Sequence, residues 1–475
     1  MQSSPRAKGT SGNTFMQALE RRLGVVAAQG ASSPPVHVQQ NAPWGLSRIS
    51  QPKRPLNDRC YEYASTGNGV NIYIVDSGVD VRHPEFEDRA KIVFVAPGLM
   101  RPDNKAPPPD CSGHGTEVAS VAAGRLSGVA KHARILALQV LSCNGQGRNS
   151  DLIAALEWIA ANYEHPGIVN LSLGGPRSTT LDMVVEAVIA RGIPVVVAAG
   201  NDGANACEFS PANLPLSMTV GASTQTDERA EFSNYGKCVK IFAPGYRIQV
   251  AKARIEHADG ASSHGGISTS ASASPYVLAM TESDFRSKWG RFDDDKDGNS
   301  DGEFDERNSG DFVLSSGTSL AAPAVAGVAA LIMERHPEIP IPRLWSLVRA
   351  ISQKDSIHAS TLKGSPNLLL QSPPGINVDL LALDDSANGW DGFRIGNGDS
   401  THGANSLSSL SPFTWSWILI SGLMILGLFG MFGILAGARI IKSKKEVITR
   451  GRSHYRDDPW ITSSAPSRGR ALAVY

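Results

Sequence analysis

A carboxylate, an imidazole and an alcohol stand in three short windows of this chain, in the order Asp76, His114, Ser319. Asp76 closes an apolar, β-branched run and is followed by Ser77-Gly78. His114 lies in Ser112-Gly113-His114-Gly115-Thr116, and Ser319 in Ser316-Gly317-Thr318-Ser319-Leu320-Ala321-Ala322-Pro323, which opens a helix of small residues. A serine hydroxyl is a poor nucleophile at neutral pH. It becomes effective when an imidazole takes its proton and a buried carboxylate orients that imidazole. Taken singly, Ser319 reads as a helix N-cap, Asp76 as a strand-end turn and His114 as a helix-start histidine. Taken together, the three supply the parts of acyl transfer.

Further windows stand in register with these. They are Asn41-Ala42-Pro43-Trp44-Gly45-Leu46-Ser47-Arg48-Ile49-Ser50, Ala198-Ala199-Gly200-Asn201-Asp202, and Phe232-Ser233-Asn234-Tyr235-Gly236 followed by Ala243-Pro244-Gly245. From about Asn41 to about Arg335 the chain thereby resembles the proteinase K-like members of the subtilase family, whose triad has this chain order. The resemblance implies a subtilisin-like three-layer α/β fold, with a mainly parallel sheet between helices. It implies that Ser319 is the nucleophile, His114 the general base and then acid, and Asp76 the residue that orients the imidazole. The oxyanion donors would be the Ser319 N–H and the side-chain amide of Asn201. Ser172-Leu173-Gly174 would pair as an edge strand with an extended peptide, and Ala198-Ala199-Gly200 would wall a pocket roomy enough for a large apolar or aromatic side chain. The expected function is a broad-specificity serine endopeptidase acting on polypeptides, with no cofactor required for the chemistry. The sequon Asn170-Leu171-Ser172 falls in the same strand, which argues against glycosylation there.

Periodicity supports such a frame. Val70 to Val75, Ile135 to Val140, Val169 to Leu173 and Pro194 to Ala199 read as buried strands, whereas Asp151 to Asn162 and Leu181 to Ala190 read as helices. Strands alternating with helices predict a parallel sheet covered on both faces, with the site outside the carboxyl ends of strands. Asp76 and Asn201 fall at such ends.

With 45 basic and 45 acidic side chains the net charge is zero, so no global field favours nucleic acid. None of the five cysteines forms a C-x-x-C pair, which argues against zinc. They read either as reduced thiols or as bridges. The resemblance implies pairs Cys111–Cys143 and Cys207–Cys238, with Cys60 left over.

The chain departs from the family pattern in places. The usual His-Gly-Thr-His is His114-Gly115-Thr116-Glu117, so a carboxyl lies one helical turn from the imidazole. Ala324 follows Pro323 where a histidine is common, and Lys240 stands where relatives place a calcium-ligating Asp, which argues against that calcium site. Residues from about 257 to 311 are extra. They contain Asp293-Asp294-Asp295-Lys296-Asp297-Gly298, which offers Asp293, Asp295 and Asp297 as candidate structural-calcium ligands, although the twelfth position is Phe304 rather than Glu. A solvated acidic loop explains the same residues.

Outside the peptidase domain of about 41–371, residues 1–40 read as disordered and 372–412 as a polar linker. Phe413 to Ala438 holds no charge and is long enough for one membrane helix, with Trp415 and Trp417 at its start. Arg439, Lys442, Lys444, Lys445, Arg450 and Arg452 follow it, which predicts a cytosolic tail over 439–475 and an extracellular or luminal peptidase domain. The stretch before Asn41 offers no signal core and too few residues for a pro-segment, so the native N-terminus is expected upstream, with a cytosolic tail-anchored protein as the alternative. Two other functional readings fit the same chain: an inactive subtilase relative whose insert blocks the cleft, and a membrane-anchored calcium-binding protein.

Overall fold

The computed structural model describes residues 35–374, apart from 55, 57–58, 101–102, 104 and 255–309, together with 471–474. The run at 413–438, most of the insert with Asp293, Asp295 and Asp297, and the linker beyond residue 374 lie outside the described residues.

Seventeen strands are numbered in chain order: β1 His37–Gln40, β2 Cys60–Tyr63, β3 Asn71–Asp76, β4 Ala90–Val95, β5 Arg134–Gln139, β6 Gln146–Arg148, β7 Gly167–Leu171, β8 Leu173–Pro176, β9 Val195–Ala198, β10 Phe209–Ser210, β11 Met218–Ser223, β12 Ile241–Pro244, β13 Ile248–Ala251, β14 Phe312–Ser315, β15 Gln353–Lys354, β16 Leu368–Leu369 and β17 Ala471–Val474. Among the described residues six α-helices accompany these strands: α1 Trp44–Ser50, α2 His114–Ala123, α3 Asn149–Asn162, α4 Thr179–Ala190, α5 Thr318–Arg335 and α6 Ile341–Ile351. The main sheet has nine strands in the order β15-β16-β12-β11-β9-β7-β3-β5-β4, parallel throughout except for β15. This is the α/β frame that alternation predicted. His37–Gln40 of the stretch expected to be disordered instead form β1, four register pairs against β2.

The pleat decides which way the chemistry faces. Successive side chains on a strand point to opposite faces. Tyr73 and Val75 of β3 join the core formed with Leu152, Leu156 and Ile159 of α3 and with Leu181, Val185 and Val188 of α4. Asp76, one step beyond Val75, therefore points the other way, toward α2, which packs on β3 and on α5. The apolar α5 is long enough to cross a membrane by length and composition, yet it is the buried central helix of this domain.

Both bridges implied by the resemblance are present, Cys111–Cys143 and Cys207–Cys238. The first ties the loop before His114 to the segment after β5. The ends of the insert are also held: β13 and β14 pair antiparallel from Ile248↔Ser315 to Ala251↔Phe312, so the chain leaves and returns at the open end of one hairpin.

Replacing Cys111 and Cys143 together by Ser should lower the unfolding free energy by about 2–4 kcal/mol, because each bridge closes a loop of roughly thirty residues in the unfolded chain. A denaturant midpoint unchanged from the parent would contradict it.

Candidate active site

Asp76 is the last residue of β3 and His114 the first of α2. The imidazole Nδ1–H donates to Asp76 Oδ1 over 2.8 Å, with the two side chains 2% and 0% exposed. The Ser77 backbone N–H also donates to Asp76 Oδ1, at 2.6 Å. The approach requires two glycines. A Cβ on Gly115 would overlap the Gly78 carbonyl oxygen, and one on Gly78 would overlap that of Pro109, with Gly78 held at φ +104°.

A second buried carboxylate, Asp110, sets the helix start. It accepts from the Gly113 N–H (2.8 Å), the Thr116 N–H (2.9 Å), the Thr116 hydroxyl (2.6 Å) and the Ser77 hydroxyl (2.9 Å). It thus satisfies N–H groups that the first turn of α2 leaves without intrahelical acceptors. Burial pushes the Asp110 carboxyl above its ordinary range, against the pull of these donors. For His114, burial disfavours the charged ring. The Asp76 carboxylate, with Glu117 and Asp110 beyond it, more than offsets this, and the imidazole is raised above its ordinary value. The other ring nitrogen, Nε2, is buried and takes no hydrogen bond.

Ser319 sits in the first turn of α5, 1% exposed. Its carbonyl accepts from the Ser172 hydroxyl at 2.7 Å, and Ser172 Oγ in turn accepts from Asn170 Nδ2 at 2.8 Å. That use of the Asn170 amide agrees with the argument against glycosylation. Asn201 is fixed by the preceding residue of the same helix. Its Oδ1 accepts from both the N–H and the hydroxyl of Thr318, each at 2.9 Å. The carbonyl end of Asn201 is thereby committed to Thr318. Gly200 N–H donates to Thr318 Oγ1 at 3.1 Å, and Ala198 and Ala199 are buried beside it.

Of the residues singled out from sequence, Asp76 and His114 are in direct contact, while Ser319, Ser172, Asn201 and Gly200 are linked through the start of α5. No hydrogen bond joins Ser319 to His114. Leu173 and Gly174 form the start of β8 and pair with β17. Sequence reasoning missed Asp110, Thr318 and Asn234. Asn234 clamps the loop carrying Asn201, donating to the Ala199 carbonyl (2.9 Å) and accepting from the Asp202 and Ala204 N–H groups (3.1 and 2.9 Å). Asp110 left a signal, a carboxylate set four residues before a helix-start histidine. Thr318 and Asn234 left none beyond lying in the recognised windows.

Among the described residues no cluster of three or more His, Cys, Asp or Glu is placed to hold a metal. Lys240 is depressed by burial and then by the nearby Arg349, a positive setting that does not suit a cation.

Glu117 is sealed at Oε2 and hydrogen-bonded to Ser315, the residue that ends β14 just ahead of the Ser319 segment. Burial pushes its carboxyl up to about 7, against the pull of His114 and Ser315.

The chain matches the model of the subtilase family over residues 67–354. It is 37% identical to the extracellular serine proteinase of Thermus sp. (strain Rt41A) over 336 residues, which cover 71% of this chain and 67% of that one. It is 36% identical to alkaline serine exoprotease A of Vibrio alginolyticus, over 70% of this chain and 51% of the relative. To the subtilisin-like serine protease Pen ch 18 of Penicillium rubens it is 42% identical, over 51% and 50%. The chain thus spans about half the length of the last two relatives. The crystal structure of a cold adapted subtilisin-like serine proteinase superposes with a TM-score of 0.55 at 35% identity, covering 70% of this chain and 98% of that one.

Replacement of Glu117 by Gln has two expected outcomes. Removing its negative charge lowers the His114 pKa, so the acidic limb of the pH–rate profile moves to lower pH. Because the folded pKa of Glu117 lies above its unfolded value, the stability it contributes is full below the unfolded value and fades as pH rises through about 7. The Gln variant should therefore match the parent near pH 5 and exceed it at pH 8 by on the order of 2 kcal/mol. Parallel denaturant titrations at the two pH values check this, and an equal difference at both would contradict it.

Proposed function

The chain belongs to the subtilase family of serine proteases, and from the geometry of its site we propose an endopeptidase that hydrolyses polypeptides through an acyl-enzyme on Ser319. The observation that carries the reading is the buried His114–Asp76 pair, with the outer imidazole nitrogen left without a partner. That nitrogen is the one the triad chemistry uses to take the serine proton.

The Ser319 hydroxyl attacks the scissile carbonyl as His114 Nε2 takes its proton. Asp76 holds the Nδ1–H tautomer and stabilises the imidazolium that forms. The developing oxyanion is met by the Ser319 N–H at the start of α5, where the helix dipole favours negative charge, and by the amide of Asn201. His114 then returns the proton to the leaving amine, and water repeats the cycle on the acyl-enzyme. Apo triads are often loose between base and nucleophile and tighten with substrate, which is consistent with the free Nε2. Binding of an extended peptide rests on Ser172, Leu173 and Gly174. Ala198, Ala199 and Gly200 line the pocket for the side chain before the scissile bond, with space for a large apolar group.

The name of the Thermus relative, an extracellular serine proteinase, and the uncharged composition of the run 413–438 in this chain both bear on location. They support a peptidase domain outside the cytoplasm and attachment to a membrane through that run. The basic residues after it support a crossing with the tail on the cytosolic side.

Ser319→Ala should abolish peptide hydrolysis and fluorophosphonate labelling. Asn201→Ala should lower kcat by on the order of 10²–10³ with little change in KM, the loss known for such a donor in subtilisin. Casein hydrolysis that survives Ser319→Ala would defeat the reading.

A further inference from the structure

A strand from the far end of the sequence lies in the groove that the proposed mechanism assigns to substrate. Ala471–Val474 runs between β6 and β8 in a four-stranded sheet ordered β10-β8-β17-β6. On one side Ala471, Leu472 and Ala473 pair antiparallel with Arg148, Gly147 and Gln146. On the other, Ala473 and Val474 pair antiparallel with Gly174 and Leu173. Leu173 and Gly174 are two of the three residues expected to bind an extended peptide. Moving along β17 from Ala473 to Val474 moves from Gly174 to Leu173, that is, toward Ser172, whose hydroxyl holds the Ser319 carbonyl. The strand is therefore aimed at the nucleophile.

Both walls of the groove carry glycine where β17 passes, Gly147 opposite Leu472 and Gly174 opposite Ala473. Glycine in a strand marks a place where another backbone comes close. Without an occupant, β6 and β8 present unpaired N–H and C=O groups along facing edges, a template for strand addition. The covalently attached segment supplies a strand of the right polarity. Because it is tethered, its local concentration does not depend on how much protein is present.

We infer that, in a chain whose run 413–438 has not crossed a membrane, Ala471–Val474 is an internal occupant of the substrate cleft, which holds the protease closed until a substrate or a rearrangement of the tail displaces it. This rests on the proposed reading of Leu173 and Gly174 in β8 as peptide-binding residues, with β6 the strand that faces them across β17. The segment competes with substrate, so it raises the apparent KM and leaves the chemistry of the bound complex untouched.

The test compares the full chain with a chain ending at Arg470, using initial rates on a short chromogenic peptide and the rate of fluorophosphonate labelling. Removal of 471–475 should raise kcat/KM by roughly tenfold or more, mostly through KM, where tenfold corresponds to about 1.4 kcal/mol of competing occupancy. Ala473→Pro in the full chain should reproduce the gain, since proline has no N–H for either ladder, whereas Ala473→Val should not. A synthetic Ala-Leu-Ala-Val-Tyr peptide should inhibit the shortened chain competitively. Labelling of the full and shortened chains at equal rates would overturn the inference and leave the protease intact. Inhibition that grows with protein concentration would also overturn it, by making the occupant a second copy. No labelling of either form would overturn the protease reading and the inference with it.

Discussion

A carboxylate buried without compensation is among the most costly things a fold can hold, and this site holds two. Asp76 ends β3 and Asp110 lies beside the Ser77-Gly78 turn that follows it, and neither forms an ion pair with a lysine or arginine among the described residues. Asp76 is met by an imidazole and a backbone N–H, and Asp110 by two backbone N–H groups and two hydroxyls. All these donors come from the strand end and the first turn of α2. The helix must therefore start where it does and lie as close to the strand as Gly78 and Gly115 allow. Fixing the imidazole on Asp76 Oδ1 and satisfying Asp110 are one event, while Asp76 Oδ2 stays buried without a partner. A helix shifted by a single residue would lose the His114 contact and the Asp110 contacts together.

The alcohol side is organised by a separate set of bonds on α5. Thr318 secures Asn201 and, through its hydroxyl, the Gly200 N–H. Ser172 secures the carbonyl of Ser319. Thr318 thus holds Asn201, while the backbone of Ser319 is tied to Ser172. The two halves meet through packing of α2 on α5, with His114 Nε2 taking no hydrogen bond. Glu117 adds a further tie, from the His114 helix to Ser315 at the approach to Ser319.

Much of this was legible because its signals are local. A β-branched run ending in Asp-Ser-Gly, and a small-residue helix opened by Gly-Thr-Ser, each carry their meaning within ten residues. The bounds of β3, β5 and β9 fall within one residue of those read from apolar runs, and β7 ends two residues early because Ser172 turns out of the ladder to hold Ser319. What escaped depends on contacts between segments far apart. Thr318 and Asn234 act on residues 30 or more positions away, and a threonine or asparagine in a loop has no periodicity to betray such a bond. β1 escaped because its partner β2 lies beyond α1, and β17 because four small and aliphatic residues after a basic tract read as nothing without the groove they enter.

The position of β17 bears on the arrangement of the whole chain. Its ladder with β6 and β8 requires residues 471–474 to be on the same side of any membrane as the peptidase domain. A crossing by the apolar run Phe413 to Ala438 would carry the residues after it to the other side. The two arrangements exclude one another in a single chain, so a chain whose groove holds β17 is one in which that run has not crossed a membrane.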